Sequence, residues 1–245
     1  MATSGAVLGE ASPVEGAQLR LWWVRLDRDA AAVAEAERCL TADERARAHR
    51  GVPVVHRRRV LLRAALRRAL AEVLDREPSA VRLGTSGRGR PEALDRDDVD
   101  VSCSASGALG LVAVATALRV GVDVEALDAW SPDVLHEPWL TPAERRAVLD
   151  LPPAARPAAL ARSWTQKEAV LKGRGVGLAG DPASVGTPVG EPRGGRLGRW
   201  DVSALEAPGG WVASIATCAD LARSVPAPAT PVPGPRPLAL CEAFR

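Results

Sequence analysis

The sequence predicts an α/β (α+β) protein made of two similar lobes, and three observations carry that expectation. Apolar residues make up 47% of 245 positions, enough for one large core or two of about 120 residues each. Helix-period and strand-period stretches are interspersed along the chain. Finally, "LTADERARA" from Leu40 is echoed by "LTPAERRAV" from Leu140, both reading Leu-Thr-x-x-Glu-Arg. Each copy is followed by a long helical pattern, a glycine-rich turn and, further on, an apolar strand. Such a repeat suggests two halves related by a pseudo-two-fold axis. The join is expected near Leu118 to Gly121, giving an N-terminal lobe over 1–118, a C-terminal lobe over 119–221 and a tail over 222–245.

The elements follow in chain order. "MATSGAVLGEASPVEGAQ" has no basic start leading into an apolar run, so it does not read as a signal peptide. No uncharged apolar stretch is long enough to span a bilayer. "AQLRLWWVRL" reads as a strand with Trp22 and Trp23 on opposite faces. Thr41 with Glu44, and Thr141 with Glu144, fit capping boxes that open helices. "HRRRVLLRAALRRALAEVL" from His56 and "RPAALARSWTQKEAVLKG" from Arg156 are the long helices. They run toward the turns "LGTSGRGRP" and "GRGVGLAGDP". "VDVSCS" enters a hairpin with "LGLVAVAT" from Leu109, "RVGVDVEAL" is a further strand, and "GWVASIAT" from Gly210 is another. The segment from Ala222 holds six prolines and reads as disordered or draped on the surface.

Composition excludes several classes. A net charge of +2 is not that of a polyelectrolyte for nucleic acid. Cys39, Cys103, Cys218 and Cys241 form no CxxC pair and read as buried or free thiols in a reducing cytoplasm. His49, His56 and His136 are scattered without zinc-ligand spacing and read as surface residues.

The chemistry concentrates in two motifs. In "GVDVE", Gly121 to Glu125, a strand would turn Asp123 and Glu125 to one face and Val122 and Val124 to the other. Adjacent like charges repel, and a hard cation is the simplest counter-charge. Oxygen-only ligation suits Mg²⁺, with Mn²⁺ also compatible. A bare Asp-x-Glu is more often two solvated acids, so the second motif decides. "WTQKEAVLKGRGVGL", from Trp164, holds Lys167 and Lys172, the chain's only lysines among 32 basic residues. At 100° per residue, Lys167, Leu171, Trp164, Glu168 and Lys172 fall in that order within an arc of about 140°. Arginine-rich coding bias accounts for scarce lysine but not for where both lysines stand. A compact ammonium that can give up a proton is chemically distinct from a permanently charged guanidinium.

These motifs resemble the 4'-phosphopantetheinyl transferases of the two-lobed, surfactin-synthetase-activating type. Their signature is G-[IV]-D-[IV]-E, then W-x-x-K-E-[AS]-x-x-K and a G-x-G-L ending, and every position matches. The resemblance implies two α/β lobes with the cofactor in the cleft between them. It also implies transfer of phosphopantetheine from coenzyme A to a serine of an acyl or peptidyl carrier protein, with release of adenosine 3',5'-bisphosphate. By similarity Asp123, Glu125 and Glu168 would hold Mg²⁺. Glu168, or a water beside the metal, would take the serine proton, and Lys172 would stabilise or protonate the leaving phosphate. Lys167 would contact phosphate or orient Glu168. "GRP" at Gly89 to Pro91 is similar to the family's G-[KR]-P segment, which assigns Arg90 to coenzyme A phosphate; an ordinary turn is the alternative. Arg58 or Arg59, in a helix also carrying Arg57, Arg63, Arg67 and Arg68, would join it, with His56 near the nucleotide. Others of these arginines could attract an acidic carrier. "VSCSASG" departs from the usual F-N-[IL]-S-H-S-G, with Ser102 for asparagine and Ala105 for histidine. Ser104 would still meet phosphate, but coenzyme A would bind less tightly, and Ala105→His should lower its KM; an unchanged KM would count against this. The departure also motivates an alternative, a non-catalytic homologue that binds coenzyme A or carrier without turnover. A metal phosphohydrolase, splitting coenzyme A without a carrier, is a third reading. The two-lobed type is often linked to secondary metabolism; a cleft made within one chain points to a monomer, and cysteine usage, balanced charge and short apolar runs to a cytoplasmic protein with neither nucleic acid nor membrane as partner.

Overall fold

The computed structural model describes residues 17–176, 180–189, 194–219 and 236–237. The chain opens with β1 (Gln18–Arg25), followed by α1 (Ala30–Glu37), α2 (Ala42–Ala48) and α3 (Pro53–Leu74). Then come β2 (Leu83–Thr85), β3 (Pro91–Ala93), β4 (Val99–Ser106), β5 (Leu109–Thr116) and β6 (Arg119–Ala126). Helices α4 (Pro142–Leu149) and α5 (Arg156–Arg174) precede β7 (Gly194–Leu197), β8 (Trp200–Leu205) and β9 (Trp211–Cys218), and β10 (Arg236–Pro237) is last. Among the described residues these strands form two four-stranded sheets, ordered β10-β1-β5-β4 and β6-β9-β8-β7, and the separate hairpin β2-β3. This is the mixed α/β fold the sequence predicts.

Local chemistry explains the helix boundaries. At α2 the Thr41 hydroxyl accepts from the Glu44 amide while the Glu44 carboxylate accepts from the Thr41 amide. At α4, Thr141 and Glu144 do the same. Each box satisfies amides that have no partner within the helix. Helices α3 and α5 both carry proline in the first turn, where no intrahelical N–H is lost. The α5 helix ends at Gly175, whose φ of 70° is the left-handed turn that glycine adopts freely.

Packing stacks four layers. Val60, Ala64 and Leu70 of α3 meet Trp22, Val101, Val112 and Val114 on one face of the first sheet. The opposite face offers Leu21, Leu111, Ala113 and Ala115 to Val120, Val122, Val124 and Ile215 of the second sheet. Ala169 and Val170 of α5 cover the far side of that sheet over Val202 and Ala216. The order is therefore helix, sheet, sheet, helix. Each large apolar side chain buried this way contributes about 1.5–3 kcal/mol. Trp22 lies in the α3-side core and Trp23 packs toward the inter-sheet core, on opposite faces as the alternation requires.

The second sheet meets the first along two edges. Strands β4 and β6 each end a sheet, yet they lie side by side. Asp100, Ser102 and Ser106 alternate along β4 and accept from the amides of Val120 (2.8 Å), Val122 (3.1 Å) and Ala126 (3.0 Å). Side chains of one sheet thus satisfy the open edge of the other, where strand pairing would otherwise be needed. Nothing in the sequence signals this ladder, because its donors and acceptors meet only after both sheets form. The expected join near Leu118 falls where the chain crosses from β5 to β6, between the sheets.

In the proline-rich tail, Arg236 and Pro237 pair in parallel with Trp22 and Trp23 at the sheet edge, a position that tolerates proline. The rest of that tail lies outside the described residues, as does Cys241. Cys39, Cys103 and Cys218 are free thiols. Among the described residues no helix is long and apolar enough to cross a membrane.

Candidate active site

A glycine sets the site. A Cβ on Gly121 would lie 1.9 Å from the Ala169 carbonyl oxygen and 2.5 Å from the Gly173 amide nitrogen. No side chain fits there, so the backbone of α5 rests directly on β6. Gly173 is crowded in turn, since its Cβ would stand 2.4 Å from the Trp200 ring. This close approach brings Glu168 and Lys172 to the β6 face that carries Asp123 and Glu125.

Asp123 is buried, and its Oδ1 accepts from the Ser104 hydroxyl (2.7 Å) and the Lys172 ammonium (2.5 Å). Lys172 also donates to Ser104 Oγ at 2.8 Å. The other oxygen, Asp123 Oδ2, is buried without a hydrogen-bond partner among the described residues. Glu125 Oε2 accepts from the Ser106 hydroxyl at 2.8 Å, and Trp164 bonds its carboxylate.

The charges frustrate one another. Burial and the Asp123 carboxylate push Glu125 up, against the opposing pull of Ser106, Lys172 and Trp164. Burial and Asp123 likewise raise Glu168, with Lys172 opposing and Glu125 reinforcing the rise. Burial alone would lower Lys172, but Asp123 outweighs it and holds the ammonium charged above its usual range. One ammonium therefore faces three acids. An orphaned carboxylate oxygen and two acids driven toward protonation fit an oxygen-ligated divalent cation. Asp123, Glu125 and Glu168 are the residues that could hold it, but their oxygens do not all lie within 4.8 Å of one another as they stand, so side chains would have to turn to share one ion.

Two of the sequence-based assignments are corrected. Lys167 is fully buried on another side of α5. Its ammonium donates to Glu144 Oε2 (3.0 Å) and to the carbonyls of Pro182 (3.0 Å) and Val185 (2.5 Å). Lys167 and Lys172 stand at opposite ends of the helical arc, so one face does not hold both at the acids. Arg67 repeats the Lys167 arrangement, donating to Glu44 Oε2 (2.7 Å) and to the carbonyls of Pro78 (2.8 Å) and Val81 (2.9 Å). Lys167 thus fills a structural position that its counterpart fills with arginine.

Arg90 is the second correction. Its guanidinium forks onto Asp100 (2.7 and 2.6 Å) and donates to the carbonyls of Lys172 (2.8 Å) and Val120 (3.1 Å). Four of the five N–H donors of an arginine are then in use, and the fork has no face for a phosphate.

The arginine helix also divides. Arg63 and Arg67 hold Glu44, and Arg59 donates to the Arg50 carbonyl. Arg58 is half-buried and forms no ion pair among the described residues. Ser104 is at the acids as expected, bonded to Asp123 and Lys172, whereas Ala105, its neighbour on the strand, is exposed. Ser102, standing where the family usually has asparagine, holds the Val122 amide. Beside Glu125 opens a cavity of about 370 Å³ lined by Trp130, Val134, Glu137, Trp139 and Trp164. Of these the sequence had singled out only Trp164.

A family model described as the 4'-phosphopantetheinyl transferase superfamily matches residues 119–213, the span containing β6, α5 and all three acids. The 4'-phosphopantetheinyl transferase HetI of Nostoc sp. is 33% identical over 167 residues, covering 66% of this chain and 70% of HetI. A protein of Synechocystis sp. whose name assigns the same activity provisionally is 31% identical over 146 residues, covering 58% of this chain and 59% of its own length. At 33% identity across 70% of HetI, and with the family model matching the segment that holds β6 and α5, the chain belongs to the 4'-phosphopantetheinyl transferase superfamily.

Proposed function

We propose that this chain transfers the 4'-phosphopantetheine arm of coenzyme A to a serine hydroxyl of an acyl or peptidyl carrier protein in a Mg²⁺-dependent reaction. The observation that supports this best is the Lys172–Asp123 pair at the β6–α5 contact, with Glu125 and Glu168 near enough for Asp123 to push both toward protonation. Asp123, Glu125 and Glu168 would hold the ion, and Mn²⁺ would satisfy the same ligands. When bound, the ion supplies positive charge that polarises the phosphoryl oxygens.

The chain's own groups would then act as follows. The carrier serine oxygen forms a bond to the phosphorus bearing the pantetheine. The bond from that phosphorus to the bridging oxygen breaks, and its electron pair leaves on adenosine 3',5'-bisphosphate. The serine proton would pass to Glu168, or to a water beside the metal. Lys172, held charged by Asp123 yet with 30% of its side chain exposed, serves as a fixed cation for the leaving phosphate rather than as its proton donor. The tryptophan-lined cavity abuts Glu125 and would take part of the pantetheine arm, with its gem-dimethyl group against the rings. A cleft made within one chain is consistent with a monomer.

The test is incubation with a panel of apo carrier proteins, coenzyme A and Mg²⁺, read by intact mass. A gain of one phosphopantetheine, lost in Glu168→Gln, is expected. Coenzyme A binding without any mass gain across the panel would favour a non-catalytic homologue, and coenzyme A cleavage without carrier would favour a hydrolase.

A further inference from the structure

The scattered histidines are not scattered in space. His49 is the residue that ends α2, His56 lies in the first turn of α3, and Glu37 is the last residue of α1. The two imidazoles stack with ring centroids 4.3 Å apart and planes inclined by 21°. Both Nε2 atoms point at one oxygen, His56 at 3.1 Å and His49 at 3.6 Å from Glu37 Oε1. The three candidate ligand atoms all lie within 4.8 Å of one another. Among the described residues this is the one such group of three or more His, Cys, Asp or Glu.

We propose that Glu37, His49 and His56 form a surface site for a late first-row divalent ion, with Zn²⁺ the archetype. Zinc bonds to imidazole nitrogen and carboxylate oxygen at about 2.0–2.2 Å, which at a tetrahedral angle sets ligand atoms about 3.3 Å apart. The two distances to Glu37 Oε1 bracket that spacing, while the stacked rings must splay apart for both Nε2 lone pairs to meet at one ion. Two nitrogen donors also sort the metals. Imidazole favours Zn²⁺, Ni²⁺ and Cu²⁺, whereas the all-oxygen set of Asp123, Glu125 and Glu168 suits Mg²⁺. The two sites therefore take different ions from one solution.

The backbone holds the ligands in place. The Glu37 carbonyl accepts from the Leu40 amide (3.1 Å), the His49 amide donates to Arg45 (3.0 Å) and the His56 amide to Val52 (3.0 Å). With three protein ligands and His49 60% exposed, a fourth position opens to water. An ion there would join the ends of α1 and α2 to the start of α3. This site is independent of the proposed transfer reaction.

The experiment uses the full chain without a histidine tag, stripped with chelator and held in saturating Mg²⁺ to occupy the carboxylate site. Zn²⁺ is titrated against a chromophoric chelator, and Co²⁺ is added separately to read the visible spectrum of a nitrogen-ligated ion. One equivalent of Zn²⁺ should bind. His49→Ala, an exposed change, should weaken it by at least about 100-fold, since even outer partners of metal ligands are worth 10–100-fold. Glu37→Gln should weaken it as well, while His136→Ala and Glu168→Gln should retain it. The proposal is overturned if the wild type binds no more tightly than His49→Ala, or if Glu168→Gln removes the bound equivalent and His49→Ala does not.

Discussion

Lys167 and Lys172 belong to one helix and do different work. Lys172 bridges Asp123 and Ser104 beside the other acids, with part of its side chain exposed to a ligand. Lys167 is buried beneath Glu144, where burial outweighs the carboxylate and lowers its pKa. Substitution should separate the two roles. Lys172→Met should lower kcat per folded molecule by about 10²–10³, the scale of a lost charge-stabilising group, and lower Tm as well because buried Asp123 loses its counter-charge. Lys167→Met leaves Glu144 without its cation and should cost about 3–5 kcal/mol of stability, with kcat per folded molecule retained. Paired melting curves and carrier-loading rates check both; a catalytic loss in Lys167→Met at unchanged Tm would restore it to the active site. The sequence shows why Lys167 was assigned to the chemistry. It shares an arc with Glu168, and only the position of α4 reveals which end of that arc faces the metal acids.

At the scale of elements, the capping boxes do more than start helices. Glu44 closes the box of α2 and also receives Arg63 (2.6 Å) and Arg67 (2.7 Å). Burial would raise its pKa, but Arg67, the Thr41 amide and Arg63 together outweigh burial and hold it below its ordinary value of 4.5. A lowered carboxylate contributes stability above its unfolded pKa and loses it as pH falls through the folded one. Glu44→Gln should therefore cost about 3–5 kcal/mol at neutral pH, because Arg67 is left buried without its counter-charge. The gap to wild type should narrow from about pH 4.5 downward, in urea unfolding measured across pH. A gap independent of pH would mean that packing, not charge, is lost. The boxes, α3, α5, β1, β4, β5, β6 and β9 were legible because caps, periodicity and apolar runs are local signals. Strand β7 was not, since "GGRL" carries no alternation, whereas β8, "WDVSAL", does alternate apolar and polar residues and was legible in principle. The pair His49 and His56 was hidden for a different reason. The turn between α2 and α3 folds the two rings together, and sequence spacing does not encode that.

At the scale of the whole molecule, the candidate active site stands where two sheets and α5 converge, so its geometry depends on how the sheets are locked. The lock is polar. Asp100, Ser102, Ser104 and Ser106 of β4 all bond to β6, and Arg90 ties Asp100 to Val120 and to the carbonyl of Lys172. In sequence these serines look like an ordinary polar strand face, because their partners exist only after both sheets have formed and stacked. Gly-Arg-Pro is likewise the same string whether its arginine meets a phosphate or a carboxylate. The structure makes Arg90 a positioning residue for Lys172, and kinetics can distinguish that role from phosphate binding. Lysine at position 90 keeps the charge but cannot fork onto Asp100 while also reaching both carbonyls. Arg90→Lys should lower kcat by about tenfold, as a displaced Lys172 loses about 1.4 kcal/mol of transition-state stabilisation, with the KM for coenzyme A nearly unchanged. A rise in that KM at constant kcat would instead place the guanidinium on the cofactor. Asp100→Asn gives an internal check. It removes the anchor without touching the arginine, so a positioning role predicts that it reproduces the kcat loss, and a phosphate contact predicts that it does not.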